Sequence, residues 1–348
     1  AYDPLYLRLL IIVGNDVNTV MKRLKECKVS WRHDVEYSRE FFNQLLSDFP
    51  KVTSYDKVIE DSYYLSLFLR LNYLSRNGIT PDGVSYDVIN LWTSALLLPF
   101  TNSRYLKEAV QNQLSNYITT ILQDHRDIMG KIDEISLAVL SLHELYHSVS
   151  RDSIKSLYII LDNIMYEVAE NVSKGKSVIG VTIAPNIGRG EYFITYALLS
   201  NAFLSLKTLS DIYRMERPKY VSAYNVLNNH LSKFFSDDHY VYAVLYDGGK
   251  VEDIRYLIYT ISLSLGNAKD NLDQLSKHAL YVVEKLNEAL TSEQLNGLSL
   301  RILSIIPYSL SLIGYPNEAY KVLTNSYTLL GKELDEKNVL LNYDVVVL

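Results

Sequence analysis

Apolar residues recur at steps of three and four along most of the chain. Leu272, Leu275, Ala279, Val282, Leu286 and Leu290 fall on one helical stripe. Ile194, Leu198, Ala202, Leu206 and Leu209 form another, and Val139, Leu142, Leu145 and Val149 a third. The pattern predicts helices near 4–13, 16–27, 35–48, 55–76, 85–98, 103–129, 131–149, 152–173, 190–216, 218–235, 251–266, 268–290, 292–304 and 316–333. Start signals stand in the short gaps: Ser103, Asp152 with Ser153, Thr291, and the prolines Pro218 and Pro316. Short gaps between long helices make neighbours antiparallel, so the building unit is the αα-hairpin. The predicted fold class is all-α, with hairpins forming a closed (α/α) toroid or a curved solenoid and at most short β-hairpins in loops.

Three segments break the helical rhythm. Residues 175–190 hold a β-like run between glycines and read as a domain boundary or a long functional loop. Residues 236–250 alternate Tyr240, Tyr242, Val244 and Tyr246 before Asp247-Gly248-Gly249, the signature of a small hairpin. The tail from Tyr343 to Leu348 is β-branched and could pair as a strand. The resulting division is an N-terminal helical half, 1–174, the glycine-bounded loop, 175–190, and a C-terminal helical half, 191–348. One continuous domain remains open. Internal repeats with a fixed residue signature are not visible.

Three stretches, Tyr192–Phe203, Tyr220–Leu227 and Leu231–Asp238, resemble hairpins of the six-hairpin (α/α) toroid superfamily. That group includes N-acylglucosamine 2-epimerase-like proteins and their thioredoxin-linked relatives. In them a helix rich in small residues faces the axis, and a second helix ends in an Asp-rich or aromatic loop. The resemblance covers about residues 190–333, rests on hydrophobic pattern, and carries no active-site residue across. It implies a toroid and, with it, a carbohydrate-active enzyme whose acid and base are unrecognised.

Composition narrows the function classes. There are 34 Lys and Arg against 40 Asp and Glu, a formal net charge of −6. A protein that wraps a nucleic acid replaces counterions with an excess of basic residues, so nucleic-acid binding is not expected. The single cysteine, Cys27, cannot close an internal disulfide or build a Cys-rich zinc site. No apolar run approaches the roughly 18 residues needed to cross a bilayer. Leu5–Val13 is interrupted by Arg8, with no small-residue cleavage site after it. A cytoplasmic location is the expectation. The 29 tyrosines against 9 phenylalanines, with few Gly and Pro, lean toward a thermophile-like composition.

The sharpest chemical string is His143-Glu144-Leu145-Tyr146-His147. Two imidazoles four apart share a helical face and can reach one Zn²⁺, with Glu144 as base on a metal-bound water. Glu167 follows after nineteen residues, a spacing that resembles the thermolysin-like gluzincins and implies a third ligand. A tight hairpin turn near 149–153 opposes that, because it carries Glu167 about 20 Å along the next helix at 1.5 Å per residue. The alternative is that both histidines flank a core stripe, with Glu144 solvated. Asp237, Asp238 and His239 form a second cluster, either a cation or acid–base site or a turn. Gly188-Arg189-Gly190 before a helix offers amides to an anion or serves as a hinge. The favoured function is a helical binding or assembly module for a protein or small-molecule ligand, without a cofactor. A zinc hydrolase and a carbohydrate-active toroid are the alternatives.

Overall fold

The computed structural model describes residues 88–123, 128–179, 181–183, 186–236, 239–252, 306–311 and 314–324, with short stretches between 40 and 67 and residue 284. Contacts divide the chain into two compact units, 1–48 and 49–348. All the elements named below belong to the second. The helices predicted at 4–13, 16–27, 268–290 (Glu284 apart, which is helical) and 292–304, Cys27 and the tail strand lie outside the described residues.

Helix makes up 72% of the described residues, so the helical expectation stands at that level. The helices are α1 (Val88–Ala95), α2 (Arg104–Gln123), α3 (Ile132–Tyr146), α4 (Arg151–Ser173), α5 (Phe193–Ile212) and α6 (Pro218–Leu231). Their ends have local causes. Ser103 caps α2 by accepting the Leu106 N–H at 3.4 Å. Pro218 opens α6, where a missing N–H costs nothing. Gly175, at φ +78°, takes the left-handed conformation just past α4, and its N–H closes onto the Val172 carbonyl. None of the described helices is long and apolar enough to cross a membrane.

The packing order alternates along the chain. Helix α1 packs on α3 and α3 on α5, while α2 packs on α4 and α4 on α6. Consecutive helices therefore belong to two different layers. Burial tells the layers apart. In α3 twelve of fifteen residues are buried, and in α5 fourteen of twenty. In α4 only nine of twenty-three are, and in α6 three of fourteen. The odd helices are thus covered on nearly all sides and the even helices bury one stripe. Fully covered helices need no exposed polar face, and their small polar residues satisfy themselves. Ser94, Ser136 and Ser141 each donate to the carbonyl four residues back, at 2.6 to 2.8 Å.

A buried polar knot joins α4 to α6. The Asp162 carboxylate is fully buried. Arg217 donates to it through Nε (2.9 Å) and a terminal nitrogen (2.7 Å). The hydroxyls of Tyr220 (2.8 Å) and Tyr158 (3.2 Å) donate to its other oxygen. Burial, followed by the Asp162 charge, pushes both phenols well above their ordinary range, so they stay protonated and remain donors.

The strands are β1 (Gly190–Tyr192), β2 (Phe235–Ser236), β3 (His239–Tyr240), β4 (Ala243–Leu245) and β5 (Lys250–Val251). They form an antiparallel sheet in the order β1-β4-β5 and a separate β2–β3 pair. Two expectations need correction. The helix predicted from 190 begins at Phe193, because Gly190, Glu191 and Tyr192 pair with Leu245, Val244 and Ala243. The helix predicted from 251 does not begin there, because Val251 pairs with Ala243 in β5. The small hairpin read at 236–250 is present as β4 and β5 with a turn between them; Tyr242 before it is fully buried and Tyr246 in the turn is 57% exposed.

Candidate functional site

The loop 176–189 is the feature around which polar side chains gather, and among its described residues none is in a strand. The expected β-like run is an extended strap held by side chains rather than by a backbone ladder. At its middle, Asp133 of α3 accepts the Thr182 N–H (2.7 Å) and the Ile183 N–H (3.0 Å) on one carboxylate oxygen. Its other oxygen accepts the Thr182 hydroxyl (2.6 Å) and the Glu134 N–H (3.0 Å). Asp133 is buried, so these bonds replace its hydration. At one end of the strap, the Val178 N–H donates to the Tyr196 hydroxyl of α5 (3.3 Å). At the other, Tyr192 accepts the Ile187 and Gly188 N–H groups and donates to the Gly188 carbonyl (2.7 Å).

The strap thus touches the first turn of α3 and the first turn of α5. At the other end of the layer, the hydroxyl of Tyr213, just past α5, donates to the carbonyl of Arg151, which opens α4 after the short turn from α3 (2.8 Å). Helices α3 and α5 therefore run parallel, with both N-termini under the strap. Gly190 makes the junction possible, since a Cβ there would lie 2.5 Å from the Val244 carbonyl oxygen.

Two glutamates sit against the strap as well. Glu191 pairs with Lys233, accepts the Tyr196 hydroxyl (2.6 Å), and takes a bond from Ser177. Burial raises its pKa, but the bonds from Lys233 and Tyr196 outweigh that, so it lies below the ordinary carboxylate value. Lys233 also stands over the Tyr196 ring at 4.4 Å. Burial and then the bond to Glu191 push the Tyr196 phenol well above its usual range. Glu134 behaves in the opposite way. Burial is the largest effect and raises its pKa, against bonds from Thr182 and Tyr117 that lower it. The Tyr117 hydroxyl donates to it at 3.0 Å.

Around these fixed points the exposed side chains of the strap's described residues are apolar, cationic or neutral, and none is acidic. Ile179 is 48% exposed, Ile187 44% and Tyr246 57%. The Tyr246 N–H donates to the Arg189 carbonyl (3.1 Å), so the turn after β4 stands beside the end of the strap.

The HExxH residues are elsewhere. They occupy the C-terminal end of α3, with His147 as its cap, at the end of the layer away from the strap. The two rings meet edge to face with centroids 5.0 Å apart. Glu144 is buried, which corrects the expectation that it is solvated. Its charge contributes, after burial, to the raised pKa of Tyr308, so it faces the helical segment 306–311. Glu167 is exposed on α4, sixteen residues beyond Arg151 and so about 24 Å along that helix. Among the described residues no three His, Cys, Asp or Glu side chains converge as a metal site. The pair His143 and His147 supplies two imidazoles, one short of the three protein ligands of a catalytic zinc centre. Asp237 and Asp238 lie outside the described residues, and His239 opens β3. The strap itself was visible in the sequence as a glycine-bounded interruption, whereas its partners Asp133, Glu134, Tyr196 and Lys233 carried no local signal.

Neither a family model nor a curated protein matches the chain.

Proposed function

We propose that this chain is a helical binding module, and that the strap over the N-terminal ends of α3 and α5 is the surface it offers to a protein partner. One observation carries the reading. Two large apolar side chains, Ile179 and Ile187, stand about half exposed on a segment fixed at three points by hydrogen bonds, and a third, Tyr246, stands beside its end on the turn after β4. Exposed apolar area on a mobile loop would lose entropy on docking, but a pinned loop has already lost it. The charged cluster beneath supports the same reading. Glu191, Lys233 and Tyr196 satisfy one another, with the carboxylate favoured as ionised and the phenol favoured as protonated. Such a set suits holding shape more than moving a proton near neutral pH. The alternation of covered and half-covered helices also supports a continued stack of hairpins, with a toroid and an open solenoid as its two ways of extending.

The test is capture from extract of the source cell by immobilised protein, with captured chains identified by mass spectrometry. The Ile179→Ser, Ile187→Ser, Tyr246→Ser variant serves as the comparison. The expected result is a protein held by the wild type and lost from the variant, with the variant's melting temperature kept. Equal capture by both proteins would overturn the proposal.

A further inference from the structure

We infer that the segment docking on the strap is acidic as well as apolar. The inference rests on the strap being a binding surface and names the chemistry of what it binds. Residues 174–190 contain Lys174, Lys176 and Arg189 and no Asp or Glu. The chain as a whole has 40 acidic residues in 348, so a stretch of this length would ordinarily hold about two. Lys174 is spent on Glu170, at 3.0 Å. Lys176 is exposed and bonds to the neutral oxygen of Asn171 (2.9 Å), and among the described residues no carboxylate pairs with it. Arg189 is exposed too, and among the described residues no carboxylate lies within ion-pair distance of it.

Most of the nearby carboxylates are turned to other work. Asp133 is buried under the strap and accepts its amides, and Glu134 is half-buried and takes the hydroxyls of Tyr117 and Thr182. Glu191 is neutralised by Lys233. Asp247 accepts the Gly249 N–H (2.9 Å) in its own turn and keeps its charge, one exposed carboxylate against the two cations of the strap. Glu252 follows β5, which lies two strands from β1 and so about 10 Å from the strap side of the sheet. Among the described strap residues, the exposed charged and apolar side chains are therefore Lys176, Ile179, Ile187 and Arg189, with the neutral Ser177, Thr182 and Asn186 between them and Tyr246 beside Arg189. An extended polypeptide with carboxylates spaced between apolar side chains is complementary to that order. A neutral apolar segment would leave both cations without a partner, and a basic one would be repelled.

The experiment is selection of a displayed library of random twelve-residue peptides on the immobilised full chain. Titration of the enriched peptides by fluorescence anisotropy follows. The expected outcome is enrichment of net-acidic peptides carrying aliphatic or aromatic residues. Their binding should weaken about fivefold to tenfold in Lys176→Gln, Arg189→Gln, and further on raising salt from 50 to 300 mM. They should lose binding in the Ile179→Ser, Ile187→Ser, Tyr246→Ser variant as well. Enriched peptides that are neutral or basic, but still lost in the serine variant, would overturn the acidic inference and leave the binding surface standing. Acidic peptides indifferent to the charge variant would overturn it too. An oligonucleotide of equal charge that displaces them as well as they displace one another would show a general polyanion surface and sink the inference. Enrichment of nothing would remove both this inference and the reading beneath it.

Discussion

Replacing Asp133 by Asn keeps the size of the side chain and removes its ability to hold the strap. One carboxylate oxygen accepts two backbone N–H groups, from Thr182 and Ile183, and the other accepts a hydroxyl and the Glu134 N–H. An amide has one acceptor oxygen, so whichever way it turns, its NH₂ faces donors. If the oxygen keeps the Glu134 side, both strap amides lose their acceptor. A hydrogen bond to a charged group contributes roughly 1.5–3 kcal/mol, so two of them bound the loss at about 3–6 kcal/mol. Thr182 is exposed and Ile183 half-buried, so water reaches the freed amides once the strap lifts. That relief places the expected cost near the lower bound, about 3 kcal/mol. At roughly 2 °C per kcal/mol for a unit of this size, the melting temperature should fall by about 6 °C. Native-state hydrogen exchange gives the local readout. Thr182 and Ile183 amides should exchange faster in the variant by far more than the global loss requires, while core amides of α5 such as Leu198 should follow global stability. A variant with unchanged melting and unchanged protection at Thr182 and Ile183 would refute the claim that Asp133 holds the strap.

Gly190→Ala should loosen the β1–β4 pair, because the added methyl meets backbone atoms at 2.5 and 2.9 Å that cannot move aside. The expected loss in urea unfolding is about 1–3 kcal/mol. Arg217→Ala strips the buried Asp162 of its cation and should cost about 3–5 kcal/mol. Arg104→Ala breaks only an exposed pair and should shift the melting temperature little. Glu134 has a folded pKa above its ordinary value, so its contribution is present below the ordinary carboxylate range and is lost as pH rises through the raised value. Glu134→Gln should therefore gain stability relative to wild type at neutral pH and lose that gain on acidification. Glu191, with its lowered value, should do the reverse: its contribution holds above the ordinary range and fades as pH falls through the lowered one. Stability–pH curves of Glu191→Gln that parallel wild type would contradict it. Zinc measured after dialysis is expected to be well below one per chain and unchanged in the His143→Ala, His147→Ala variant; stoichiometric zinc lost in that variant would reopen the hydrolase reading.

The helices were legible because their signal is local. A stripe at three-and-four spacing is a property of one segment, and α2, α4 and α6 begin within a residue or two of where caps and a proline put them. The helix from 190 misled for a related reason. No breaker separates Glu191 and Tyr192 from the helical run of α5, and only the distant partners Val244 and Ala243 make them a strand. Layer membership was not legible from helix stripes alone. An inner helix such as α3 buries Asp133, Ser136, Ser141 and Glu144 along with its leucines, so its covered face is wider than any apolar stripe. Reading Glu144 as solvated assumed that a charge on the flank of a stripe reaches water, and the segment 306–311 takes that place instead.

The candidate site shows the same limit more sharply. A motif reports chemistry when its ligands are close in sequence, and HExxH drew notice for that reason alone. The groups that fix the strap are separated from it by 49 residues for Asp133 and Thr182, and by 42 between Lys233 and Glu191. Each is unremarkable where it stands: an acid in the first turn of a helix, a lysine after one. What sequence does offer is the interruption itself. Sixteen residues of glycine-bounded, acid-free chain between two long helices cannot satisfy their own amides without a ladder, so acceptors must come from elsewhere. Buried carboxylates and tyrosine hydroxyls in the first turns of flanking helices are the acceptors within reach. That requirement turns a compositional oddity into a search for its partners, and here the partners are Asp133, Tyr192 and Tyr196.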